Sequence, residues 1–134
     1  MTVVDTSAVF AILFQEPDAD TYEEAVERSR DLHVSAATLV EMGVVALGRG
    51  GAPLLAELEA MLEDAIVEVV PLTGSQARRA IAGFARYGRG IGRPRCLNFG
   101  DCFSYALAKE LDEPLLYKGS DFSQTDVRSA LKPT

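Results

Sequence analysis

The chain has one histidine, His33, and two cysteines, Cys96 and Cys102. A single histidine excludes a nuclease that uses two imidazoles as general acid and base. A Ser–His–Asp triad would have to use His33, and no Gly-x-Ser-x-Gly elbow accompanies it. The cysteines lie six residues apart, which matches neither a zinc site nor a redox pair. Both read as free thiols, with Cys102 packed in a helix. Phosphate-cradling glycine motifs are missing too, in both the P-loop and the dinucleotide form. No apolar run reaches the roughly 20 residues that cross a bilayer. The stretch Val3–Phe14 is short, contains Asp5 and has no basic leader, so it does not read as a signal peptide. A cytoplasmic location is the resulting expectation.

Basic charge is in deficit. Thirteen Lys and Arg against 20 Asp and Glu give a net charge of −7. That balance argues against indiscriminate binding to nucleic acid. The charge is unevenly spread, however. Residues 78–95 hold Arg78, Arg79, Arg86, Arg89, Arg93 and Arg95 and no acid, whereas 16–31 are strongly acidic.

The length, 134 residues, suits one domain over 1–134. Strands are predicted at Thr2–Asp5, Leu32–Ser35, Ile66–Val70 and Pro114–Tyr117. Helices are predicted at Ser7–Phe14, Asp18–Arg30, Ala36–Leu47, Pro53–Asp64, Gly74–Tyr87 and Asn98–Leu111. Gly48, Gly50 and Gly51 are read as the stop between the third and fourth helices, and Gly88–Arg95 as a loop. A short helical turn is expected within Ser123–Val127. Strands alternating with helices indicate a three-layer α/β fold with a parallel sheet.

Against this background, three acids stand out by their isolation. Asp5 is the only charge in residues 1–15, Glu41 in 34–48 and Asp101 in 96–108. An ionised carboxylate buried without a partner costs several kcal/mol. Arginine partners or a bound cation would offset that cost, and the surrounding segments supply no basic residue. Asp5 ends the first strand, Glu41 lies in the helix after the second, and Asp101 opens a later helix. Asp121 follows the last strand. Ligand sites of open parallel sheets lie beyond the carboxyl ends of the strands, where all four acids can meet. Such an all-oxygen set suits Mg²⁺ or Mn²⁺. Bland roles compete: an N-cap for Asp5, a solvated face for Glu41, a helix-dipole partner for Asp101 and a turn for Asp121.

The ordered set resembles the PIN domain, and its order and spacing resemble the VapC toxins. The elements that carry the resemblance are Asp5-Thr6-Ser7 after a strand, Glu41 in an apolar helix, Asn98-Phe99-Gly100-Asp101-Cys102-Phe103 opening a helix, and Leu115–Phe122. The resemblance implies a parallel sheet of four or five strands with helices on both faces. It implies an endoribonuclease with Mg²⁺ or Mn²⁺ held by Asp5, Glu41, Asp101 and Asp121, a homodimer, and a VapB-like antitoxin as partner. By the ending Phe122–Asp126, it makes Asp126 a secondary candidate.

Phosphodiester cleavage needs an activated water and a neutralised phosphate, and bound cations supply both. Asp5 and Asp101 are expected to hold the principal ion, with Glu41 and Asp121 helping through water or a second ion. Thr6 or Ser7 is expected to orient a water or a phosphate oxygen. Arg86, Arg89, Arg93 and Arg95 are assigned to the RNA backbone, where contacts position without specifying sequence. Tyr87, Phe99 and Tyr105 are candidates for base stacking, with Phe99 expected in the core instead. His33 reads as incidental. An aspartyl phosphatase would need a second Asp at position 7, where Ser stands, and no receiver-type phosphoacceptor is found. A catalytically silent interaction module remains the rival reading.

Overall fold

The computed structural model describes residues 1–131. Four strands form one sheet: β1 (Thr2–Val4), β2 (Leu32–Ser35), β3 (Val67–Val70) and β4 (Leu115–Leu116). Their order is β3-β2-β1-β4 and every pairing is parallel. Five helices connect and cover them: α1 (Thr6–Leu13), α2 (Ala19–Arg28), α3 (Ala36–Asp64), α4 (Gly74–Tyr87) and α5 (Asp101–Leu111). A 3₁₀ turn at Phe122–Gln124 replaces the helical turn expected slightly later.

Strand alternation sorts the core into two layers. Successive residues of a strand face opposite sides of the sheet. Val4, Leu32, Val34 and Leu116 pack with Ala8, Tyr22, Met42, Ala46 and Leu58 from α1, α2 and α3. Val3 and Leu115 pack on the other side with Tyr87, Tyr105 and Leu107 from α4 and α5. The result is the three-layer α/β/α arrangement.

The third and fourth helices expected from the sequence are both present, as the two arms of α3, which meet at a kink at Gly51 (φ 67°, ψ −161°). Gly48 and Gly50 do not stop it; the left-handed backbone at Gly51, cheap only for glycine, does. By length and composition α3 matches a membrane span. In the fold it packs along α1, β2, β3 and α5. Its outer face nevertheless exposes Val40, Val44 and Leu47. The last helix starts later than expected. Asn98–Gly100 stay outside it, and α5 opens at Asp101.

Candidate functional site

Asp5 directly follows β1, and its amide still donates to Leu116 O of β4, at the carboxyl edge of the sheet. It is the N-cap of α1, so the bland reading of this residue is correct as far as it goes. Its carboxylate does more than cap. Oδ2 accepts from the Ser7 amide (3.0 Å) and the Ser7 hydroxyl (2.7 Å). Oδ1 accepts from the Ser104 hydroxyl of α5 at 2.7 Å. The Ser7 hydroxyl in turn accepts from the Lys118 amide just after β4 (2.9 Å). Lys118 extends to Glu16 and Asp18 at 2.7 and 2.8 Å and fastens the segment after β4 to the start of α2.

Glu41 lies one and a half turns into α3 and is half-buried. Its Oε1 accepts from the Thr6 hydroxyl at 2.8 Å. Its Oε2 lies against Gly100, where any Cβ would collide with it. A glycine before α5 therefore lets the Glu41 carboxylate reach the positive end of that helix. Thr6 gives its proton to Glu41 and Ser7 gives its proton to Asp5, so both hydroxyls hold acids in this structure.

Asp101 and Asn98 form a reciprocal cap. The Asn98 amide donates to Asp101 Oδ2 (2.9 Å) and the Asp101 amide to Asn98 Oδ1 (2.8 Å). Burial raises the Asp101 carboxyl to about 7. The hydrogen bond from Asn98 opposes the rise, while the negative charges of Asp5, Asp121 and Glu41 add to it. The three isolated acids and Asp121 thus share one electrostatic neighbourhood. Asp121 is half-exposed, and Arg89 pairs with it at 3.2 Å.

The other candidates lie elsewhere. Asp126 accepts from the Tyr105 hydroxyl (2.8 Å) and pairs with Lys109 (3.1 Å). Burial works against its charge, but those two bonds outweigh it and hold the carboxyl below its ordinary range. Arg86 lies over the Tyr87 ring at 4.9 Å. Arg93 and Arg95 are exposed on the loop after α4. The aromatic assignments reverse: Phe99 is 75 % exposed, whereas Tyr87 and Tyr105 are buried. Phe99 stands in the turn before α5, where no layer covers it. His33 is not incidental, since it bridges the buried Glu113 (2.9 Å) and the exposed Glu68 (3.2 Å). Sequence reasoning also missed Ser104, three residues after Asp101 and hence on the same helical face. A lone hydroxyl in the apolar run Cys102–Ala108 was the available signal.

The donor set is carboxylate oxygen throughout; burial is the main cost of ionising Asp101, and repulsion from Asp5, Asp121 and Glu41 adds to it. Among the described residues no three acidic, histidine or cysteine side chains are gathered closely enough to hold a metal ion together. The fit rests on donor chemistry: Mg²⁺ takes carboxylate oxygen and keeps several waters, so one or two of these acids would hold it directly. The residues present therefore fit a hard divalent ion.

The PIN-domain profile matches residues 2–128. Over 129 residues the chain is 46 % identical to Ribonuclease VapC28 of Mycobacterium tuberculosis and to VapC ribonuclease Mb0625 of Mycobacterium bovis, covering 96 % of this chain and 97 % of each relative. The chain belongs to the PIN-domain family, among the VapC proteins. Ribonuclease VapC30 of M. tuberculosis is 44 % identical over 131 residues, covering 98 % and 99 % of the two chains. The PIN fold recurs in the M. tuberculosis VapC20 structure, described as a sarcin-ricin loop cleaving toxin (TM-score 0.78, 18 % identity, 95 % and 96 % coverage). VapBC2 of Rickettsia felis, bound to a promoter DNA fragment, also has it (TM-score 0.70, 13 % identity, 96 % and 95 % coverage).

Proposed function

We propose that this protein is a divalent-metal-dependent endoribonuclease, built as one nuclease domain and acting in the cytoplasm as the toxin of a VapBC-type pair. The observation that carries the reading is the approach of three elements at one edge of the sheet: Ser104 of α5 donates to Asp5, Glu41 Oε2 lies against Gly100 beside Asp101, and burial together with the charges of Asp5, Asp121 and Glu41 raises Asp101 to about 7. Asp5 and Asp101 hold Mg²⁺ or Mn²⁺, with Glu41 and Asp121 contributing through water or a second ion. When bound, the ion lowers the pKa of its water and offsets charge on the phosphate. Thr6 and Ser7 keep Glu41 and Asp5 in place. Arg86, Arg89, Arg93 and Arg95 follow the RNA backbone, and Arg89 stands at the rim of the acid cluster, where a phosphate would enter. Phe99 takes the base-stacking role first shared among three aromatics.

The protein partners have surfaces to use. An apolar groove of about 440 Å³ between α4 and α5 is lined by Ile81, Phe84, Ile91, Phe99 and Phe103 among others. The Val40, Val44 and Leu47 stripe lies on α3. Exposed apolar patches of this kind mark protein contacts. An antitoxin and a second copy of the chain are the proposed occupants. The relatives, named as ribonucleases, and the structural neighbour VapBC2 support the reading.

The test is cleavage of a mixed RNA pool with and without Mg²⁺, by wild type and by Asp5→Ala. Cleavage by wild type alone, and only with the ion, is expected. Failure of wild type to cleave under any divalent ion would favour a silent interaction module.

A further inference from the structure

Two buried hydroxyls, those of Ser104 and Thr38, stand in line behind Asp5. Ser104 and Thr38 are both fully buried, and Asp5 is 4 % exposed. A serine inside a helix commonly returns its proton to a carbonyl of the preceding turn. Ser104 instead donates to Asp5 Oδ1 at 2.7 Å, across 99 residues of sequence. Thr38 Oγ1 lies 3.3 Å from Ser104 Oγ. A hydroxyl has one proton and a carboxylate only accepts, so with the Ser104 proton on Asp5, Thr38 must be the donor in that pair. The chain therefore runs in one direction, from Thr38 to Ser104 to Asp5, and each bond polarises the next.

The same bonds count out the acceptor capacity of Asp5. A carboxylate offers about four lone-pair sites. Oδ2 takes two donors from Ser7, and Oδ1 takes one from Ser104. One direction remains open, on Oδ1.

We propose that Ser104, backed by Thr38, is a positioning residue that fixes the Asp5 carboxylate and leaves one Oδ1 direction for a divalent ion. This rests on the metal-dependent reading given above. Outer hydrogen bonds to ligating carboxylates set their orientation, and their loss costs about 10- to 100-fold in ion affinity. Ser104 touches neither ion nor RNA; it acts through Asp5.

The test is Mn²⁺ binding to the full chain without RNA, read by electron paramagnetic resonance, with melting in EDTA as a check on folding. Ser104→Ala is expected to weaken Mn²⁺ binding by about 10- to 100-fold. Ser104→Thr, which keeps the hydroxyl, is expected to recover most of that loss. Thr38→Val keeps the side-chain shape and removes only the far donor, so a loss of about threefold is expected. Wild-type affinity in Ser104→Ala overturns the proposal, as does an equal loss in Ser104→Thr. Should Ser104→Ala fail to melt cooperatively, Thr38→Val decides, and undiminished binding there overturns it. Absence of Mn²⁺ binding to wild type defeats the metal reading and this proposal with it, whereas equal binding by wild type and Ser104→Ala defeats this proposal alone.

Discussion

The Thr6 hydroxyl donates to Glu41 Oε1 at 2.8 Å and so joins the start of α1 to the interior of α3, 35 residues later. On the opposite side of that carboxylate, Gly100 leaves room for Oε2. Thr6→Val should free Glu41, and Gly100→Ala should push it away. Gly100 has φ −63°, which any residue adopts, so the alanine acts through the collision and not through backbone strain. Each variant is expected to lower kcat by about tenfold, with stability changed by only ~1 kcal/mol. Because both act on one side chain, the double variant should lose much less than the product of the two, as a double-mutant cycle will measure.

Asp101 gives a pH signature. Its folded pKa of about 7 lies above the ordinary value of 3.8. A carboxyl raised on folding contributes stability at low pH and loses it as pH rises through the folded pKa. In EDTA, the stability difference between wild type and Asp101→Asn should therefore shift against wild type between pH 4 and about 7. Saturating Mg²⁺ should remove that trend, because the ion favours the ionised form. Chemical denaturation across pH, with and without the ion, reads both.

The loop arginines give a salt signature. Arg89, Arg93 and Arg95 follow α4, and only Arg89 has an ion-pair partner among the described residues. Replacing all three by Ala should weaken RNA binding and flatten the dependence of log K on log salt by about 0.7 per lost phosphate contact. Arg89→Ala alone should weaken binding more than either of the other two single replacements, since it also uncovers the negative charge of Asp121.

His33 separates stability from activity. His33→Leu removes the partner of Glu113, which is buried. A destabilisation of about 2 kcal/mol is expected in urea melts. Cleavage at a permissive temperature should be unchanged.

Much of this organisation was legible from residue order. Alternation of β-branched strands with amphipathic helices specified the parallel sheet, because each strand's period of two and each helix's period of 3.6 mark the faces they bury. The acids were legible by isolation: Asp5, Glu41 and Asp101 each stand alone in apolar sequence, where a charge is costly. Their hydroxyl partners were not legible. Thr6, Ser7 and Ser104 are small residues compatible with many settings, and only tertiary packing decides where each proton goes. Phe99 was misjudged for a related reason, since an aromatic in a turn carries no periodicity to say which side is covered. The break within α3 was legible from its glycine cluster but its exact place was not, because the three glycines look equivalent in sequence while only Gly51 takes a positive φ.

The most direct measurement is anomalous diffraction from crystals of this chain soaked in Mn²⁺. The expected result is a peak within coordinating distance of Asp5 and Asp101, absent in Asp5→Ala. Crystals diffracting well, with Mn²⁺ in excess and no peak among Asp5, Glu41, Asp101 and Asp121, would contradict the metal centre on which the proposed chemistry depends.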